Sequence, residues 1–204
     1  MAGLRDANVV RFLQQENRRL QEENEQLREE VSALRGYMDA LRDLQRAAMT
    51  ITSEEDVTPV LNQILYAALT VTDSSAGSLL LREAETDELV FAVVQSDRSI
   101  PLEGYRLDRG TGVVGWAAVH QQPVIVNDPR QDWRFSSLVD EAFDFETRNL
   151  VALPLMARGR VLGILEVLNK FSGEDYTEGD LDLLSLLGLI AATVLDGMET
   201  RSGE

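Results

Sequence analysis

Leucine recurs at every seventh position through the N-terminal segment: Leu13, Leu20, Leu27, Leu34 and Leu41. A repeat of 3.5 residues per turn keeps one helical stripe facing a partner helix, so five heptads in one phase specify a coiled coil. With the leucines at position d, position a holds Val10, Asn17, Asn24, Val31 and Met38. Asparagine at a costs stability but pairs best with itself, which selects a parallel, in-register dimer. The flanking charges agree. Glu23 faces Arg28 and Glu30 faces Arg35 across such an interface, and Glu16 meets neutral Gln21. The stripe is narrow and its flanks, QQENRR and QEENEQ, are polar, which suits a two-helix seam better than a helix folded onto its own body. Only Arg5 and Arg11 stand upstream, too few for the basic region of a DNA-binding zipper. Residues 1–43 are read as a parallel dimeric coiled coil, 44–198 as a folded body and 199–204 as a tail.

Composition removes several functions. The chain has no cysteine, which excludes disulfides, thiolate metal sites, thiol nucleophiles and thioether-linked chromophores. One histidine, His120, is too few for a multi-histidine metal site, and it is expected to be exposed and no haem ligand. Net charge is −16. Residues 1–45 hold seven arginines against nine acids, so nearly all of the excess falls on the body. Such a surface repels phosphate backbones, and no nucleic-acid partner is expected. The longest apolar run, Leu181 to Leu195, is about 15 residues and is interrupted by Asp182, Ser185 and Thr193. A membrane span needs about 20. With no apolar leader in MAGLRDANVV, the chain reads as cytoplasmic and free of the membrane.

The body alternates periods. Thr58-Pro59 fits the start of a helix carrying Val60, Leu61, Ile64, Leu65, Ala68 and Leu69 at helical spacing. GSLLLR and LVFAVVQ, joined by EAETDE, are too close for a parallel crossover and form an antiparallel pair. GVVGWAAVHQQ is a short glycine-led helix, PVIVND a short strand, and 129–148 a long irregular stretch. NLVALPLM and VLGILEVL make a hairpin around Arg158-Gly159. Thr177, with Asp180 three residues on, starts the closing helix with something close to a capping box. That helix is apolar around most of its circumference and must be covered on two sides. Leu183, Leu187, Ile190 and Val194 are assigned to a dimer interface, and Gly188 to a close helix–helix approach.

This order of elements, with GSLLLR, DRGTGVVGWAAVHQQPVIVND, LVALPLMARGRVLGILEVLNK and YTEGD in sequence, resembles the GAF domain family over residues 44–198. The resemblance implies an α+β fold: an antiparallel sheet between helical layers, a small-molecule pocket on one face, and a helical dimer bundle on the other. By family position, Asn127, Asp128, Trp133, Phe135, Phe143, Phe145 and Thr147 border the pocket. Phe91 and Val93 are strand candidates whose facing a one-residue slip would reverse. The aromatics of 129–148 can stack on a ligand ring or anchor the loop. Trp116 is read as core before pocket wall.

Cyclic-nucleotide-binding members carry a signature of Asn, Lys, Phe, Asp and Glu. This chain offers Asn169, Lys170, Tyr176 and Asp180, with Leu181 where the glutamate would stand. NKFSGEDYTEGD is therefore either a ligand clasp or a latch for the closing helix. The latch is preferred, with Lys170 and Asp180 as an exposed pair worth about 0–1 kcal/mol. A cyclic nucleotide or another small molecule is the expected ligand, with no haem. The enzymatic branch of the family reduces free methionine sulfoxide with cysteines, which are absent here. Two readings follow. One is a non-enzymatic dimeric sensor of bacterial regulatory type, signalling to a separate output protein. The other is a dimerisation scaffold with no physiological ligand.

Replacing Asn17 and Asn24 together with isoleucine is expected to raise the thermal stability of the N-terminal helix pair and broaden its oligomeric state. Unchanged mass by light scattering and unchanged melting would show that the two asparagines are not at a positions.

Overall fold

The computed structural model describes residues 15–21, 24, 57–97 and 101–202. The chain divides into two units, Met1–Arg42 and Asp43–Glu204. In the first, residues 15–21 and 24 are helical, Glu16 pairs with Arg19 at 2.6 Å, and Leu20 is 53% exposed. Asn17 and Asn24 are exposed too. Val10, Leu13, Leu27, Val31, Leu34, Met38 and Leu41 lie outside the described residues.

The second unit opens with α1, Val57–Val71. It is already helical at Val57, so Thr58 is no N-cap: its carbonyl accepts from the Asn62 side chain at 3.1 Å. Then come β1 (Ser74–Arg82), β2 (Leu89–Ser96), β3 (Arg106–Leu107), α2 (Gly112–His120) and β4 (Val124–Val126). A 3-10 turn (Pro129–Gln131) and α3 (Leu138–Phe143) break up the long irregular stretch. β5 (Leu150–Ala157), β6 (Arg160–Lys170) and α4 (Glu178–Ser202) complete the unit.

The six strands form one sheet in the order β3-β2-β1-β6-β5-β4, with every neighbour antiparallel. Arg158 and Gly159 both take positive φ, 49° and 75°, as the two-residue turn between β5 and β6 requires. β1 and β6 are central, and successive side chains point to opposite faces. A Cβ at Gly77 would meet Leu65 and Leu69 of α1, while its neighbour Ser78 faces α2. One face therefore carries α1 and α4, and the other carries α2. Both faces being covered, β1 and β6 read as nearly continuous apolar runs. Ile64, Leu65, Leu79, Leu80, Ile164 and Leu165 are fully buried, each contributing about 1.5–3 kcal/mol of burial.

A bulge lies between Leu79 and Leu80, where Ala92 is the extra residue of β2. Phe91 stands opposite Leu80 and points to the α2 side, whereas Val93 stands opposite Leu79 and points to the helix layer. Two residues on, Gln95 donates to the Asn62 carbonyl of α1 at 2.8 Å. Of the two strand candidates whose facing was open, Phe91 turns to the cavity side and Val93 away from it, because one inserted residue inverts the alternation.

The capping box at α4 forms. The Thr177 amide and hydroxyl donate to Asp180 Oδ2 at 2.8 and 2.9 Å, and the Asp180 amide donates back to Thr177 Oγ1 at 3.3 Å. The stretch Glu178–Met198 is long and apolar enough to cross a membrane by length and composition, unlike the shorter run expected from the sequence. Leu184, Leu187, Ala191, Val194 and Leu195 are buried within the single chain. Leu187 and Val194 are thus core residues, which corrects their assignment to a dimer face. Gly188 accommodates strand β5, since a Cβ there would lie 2.5 Å from Leu153 Cδ2. Leu183 and Ile190 are half-buried, and the exposed apolar residues of α4 are Leu186 and Leu189, at 53% and 66%.

Gly163 lets β6 lie against β1, because a Cβ would collide with the Leu80 carbonyl oxygen. Gly163→Ala is expected to cost about 1–3 kcal/mol in urea unfolding. Gly197→Ala, in α4 with nothing within 4 Å of the added carbon, is expected to gain up to about 1 kcal/mol. Equal effects of the two would contradict this packing.

Candidate functional site

The α2 face of the sheet carries a partly open cavity of about 90 Å³. That is several times the roughly 10–15 Å³ that holds a water and below the roughly 150 Å³ of an apolar cavity that admits benzene. Its floor comes from β1, β2 and β6 through Ser78, Phe91, Val94, Glu166 and Leu168; one wall comes from α2 through Val113 and Val114. The segment 135–147 closes it with Phe135, Leu138, Asp140, Phe145 and Thr147.

Glu166 is the unusual member. Its neighbours along β6 are apolar, and it stands opposite Ser78 on β1 and Ala152 on β5. Ser78 Oγ donates to Glu166 Oε2 at 3.1 Å, which is the only hydrogen bond to this carboxyl among the described residues. Glu166 is half-buried and lines the cavity. Burial pushes it up to about 7, the Ser78 hydrogen bond opposes that, and the negative charge of Asp140 adds to it.

Asp140, on α3, ties its own end of the lid. Its Oδ1 accepts from Thr147 Oγ1 at 2.7 Å and its Oδ2 from the Thr147 amide at 2.9 Å. Further along, Asn169 takes positive φ at the end of β6 and reaches back to the same segment. Its side chain accepts from the Arg148 amide and donates to the Glu146 carbonyl, both at 2.8 Å. At the lid's start, the Arg134 guanidinium sits 4.9 Å over the Trp116 ring, which stacks on His120 at 4.1 Å. Trp116 is half-buried against the core and His120 is exposed.

Sequence-assigned residues therefore divide. Phe91, Phe135, Phe145 and Thr147 line the cavity. Phe143 packs beside it, edge-on to Tyr105 at 5.4 Å. Val93, Asn127, Asp128 and Trp133 do not line it. Asn127 is spent on the Tyr176 backbone, accepting from its amide at 2.8 Å and donating to its carbonyl at 3.0 Å. Asp128 accepts from Gln131 at 2.6 Å, and Trp133 is 84% exposed.

The segment 169–180 lies off the cavity, and Asn169, Lys170, Tyr176 and Asp180 are all engaged internally. Tyr176 packs 2% exposed with its hydroxyl 2.7 Å from Ser74 Oγ, and burial raises its phenol. Lys170 Nζ meets both Asp180 oxygens, at 3.1 and 2.9 Å. The pair is not exposed as expected: its side chains keep only 13% and 11% of their surface. Burial acts to raise Asp180, but the hydrogen bonds from Lys170 and Thr177 outweigh it and hold the carboxyl below its ordinary range. Removing one partner of a buried pair costs about 3–5 kcal/mol, well above the value for a surface pair.

Sequence reasoning missed Glu166, Ser78 and Asp140. The signal for Glu166 was a single acid inside VLGILEVL, a strand apolar on both faces. Asp140 carried none, being one acid among many.

Comparison with known proteins places this architecture. A family model described as GAF domain matches residues 54–196. The dual 3',5'-cyclic-AMP and -GMP phosphodiesterase 11A of Takifugu rubripes is 27% identical over 67% of the chain, and the mouse cone cGMP-specific phosphodiesterase subunit alpha' is 31% identical over 53%. The chain spans only 16% and 12% of those two proteins. Among solved structures, the GAF domain of a Coxiella burnetii phosphoenolpyruvate-protein phosphotransferase has a TM-score of 0.70 at 16% identity, covering 82% of this chain and 97% of that one. Free methionine-R-sulfoxide reductase from Neisseria meningitidis has a TM-score of 0.65 at 19% identity, covering 81% and 91%.

Glu166→Gln separates charge from shape. A raised folded-state value means that Glu166 favours the fold fully below its unfolded value of about 4.5. That contribution is lost as pH rises toward about 7. Relative to the parent, the variant is expected to be more stable by up to about 2–3 kcal/mol at pH 8, and to lose this advantage at pH 4.5. An advantage independent of pH in urea unfolding would contradict the buried carboxyl. The chain, matched over most of its length and sharing the fold of solved members, belongs to the GAF domain family.

Proposed function

We propose that the chain is a non-enzymatic regulatory module: a small molecule binds the cavity, and the change passes through the helices to a separate output protein. The observation that carries this reading is Glu166, a half-buried acid on the floor of a mainly apolar cavity. A carboxyl without a charged partner is costly to bury and contributes nothing to packing that an apolar residue would not. Its presence in a central strand is accounted for by a ligand. The route outward is short. Ser78 borders the cavity, and Gly77, its neighbour, abuts α1 through Leu65 and Leu69. A shift of β1 is felt at once in the helix layer.

The regulatory role is supported by the relatives, whose likeness to this chain is confined to a small share of their length. Their names describe cyclic-nucleotide phosphodiesterases. A cyclic nucleotide carries a phosphate, and the described lining of this cavity, though it has neutral donors in Gln95, Thr111 and Ser136, holds two carboxylates and no cation.

Dimerisation is part of the proposal. Leu186 and Leu189 form an exposed apolar stripe on α4, edged by half-buried Leu183 and Ile190, and Tyr66 of α1 is 67% exposed. A second copy of the chain, brought alongside by the heptad segment, is the partner that covers it. The stripe alone also fits the scaffold reading, in which the cavity stays unused.

Thermal melting of the full chain against fractions of a metabolite extract distinguishes the two readings. A ligand at 100 times its dissociation constant adds about 2.7 kcal/mol, so an active fraction raises the midpoint measurably. Midpoints unmoved by every fraction would contradict the sensor and leave the scaffold.

A further inference from the structure

The class of ligand follows from what the cavity lacks. Resting on the reading that this cavity is used, we propose that it takes a small organic cation, a protonated amine with a short apolar body, held between Glu166 and Asp140. Both carboxyls line the same cavity, and among the described residues no lysine, arginine or histidine does. Each already accepts a hydroxyl hydrogen, from Ser78 at 3.1 Å and from Thr147 at 2.7 Å. What they are missing is positive charge. A buried carboxylate gains most from a charged donor, whose hydrogen bond is roughly twice as strong as a neutral one.

The rest of the cavity fits the rest of such a molecule. Its surface is mainly apolar, and Phe91, Phe135 and Phe145 present rings, whose faces attract a cation. At about 90 Å³ the space suits a body of a few heavy atoms. The net charge of −16 draws cations toward the protein and repels anions.

Proton linkage gives the proposal a second handle. The titratable groups that act on or with Glu166 are Asp140 across the cavity and Tyr176 behind the strand, and neither is basic in the sense of carrying positive charge. A bound ammonium favours the ionised carboxyl. Affinity for a cation therefore rises with pH through the range where Glu166 loses its proton, while affinity for a neutral isostere stays level.

The test titrates the full chain with n-propylammonium, n-propanol and propionate, following amide NMR shifts of cavity residues. At pH 8 the ammonium is expected to bind tightest and propionate weakest. Glu166→Gln is expected to weaken the ammonium at least about tenfold and leave propanol unchanged. In the unmodified protein, where folding of a variant is not at issue, the ammonium dissociation constant is expected to fall about tenfold between pH 6 and pH 8. Propionate binding as tightly as the ammonium, or a flat pH profile for the ammonium, would overturn the cation assignment and leave the cavity in use. If none of the three probes shifts a cavity resonance, the cation assignment falls, and the sensor reading is decided separately by melting against the extract fractions.

Discussion

The structure depends on the central strand pair β1–β6 being covered on both faces. Seven matched positions run from Ser74–Lys170 to Leu81–Gly163, and the two strands lie so close that Gly163 has no room for a side chain. A pair buried on both faces forces a layer on each side. α1 and α4 supply one through Leu65, Leu69, Leu184 and Leu187; α2 and the segment 135–147 supply the other. Function is distributed in the same way. At the centre of β1, Gly77 abuts α1 and its neighbour Ser78 lines the cavity.

Against that background the cavity is a deliberate weakness in the packing. Leu80, Ile164 and Leu150 fill their side of the sheet, whereas Ser78 and Glu166 leave a polar floor under a lid. The lid is held at separate points: Arg134 on Trp116, Thr147 on Asp140, and Asn169 on residues 146 and 148. These polar ties are joined by apolar ones, since Phe135, Val139 and Phe143 pack against the core on the cavity side of the sheet. The Lys170–Asp180 pair and Tyr176 hold the start of α4 to the end of β6 on the far side of Asn169. The end of β6 thus meets both: Asn169 hydrogen-bonds to the lid, and Lys170, the next residue, pairs with Asp180 of the closing helix.

Much of this was legible from sequence. Period-two and period-3.6 patterns separated strands from helices, Arg158-Gly159 marked its hairpin, and Thr177 with Asp180 marked the start of α4. The assignments that moved did so for definite reasons. Val93 turned away because a bulge at Ala92 inverts the alternation, and bulges leave no mark in hydrophobic pattern. Leu187 and Val194 went to the core because α4 has more apolar surface than periodicity can apportion between its two sides. Asn127 went to the Tyr176 backbone, a contact between residues far apart in the chain. Glu166 was visible as an acid in an apolar strand, but its facing toward Asp140 needed the register of three strands.

The central claim is that a carboxyl without a charged partner lines a mainly apolar cavity and awaits one. Side-chain carboxyl carbon NMR of Glu166, followed across the acid-to-neutral range in the full chain, measures this directly. The account predicts a titration displaced upward to about 7 by burial. A midpoint near the ordinary glutamate value of about 4.3 would mean that solvent or a basic group already reaches the site, and would contradict it.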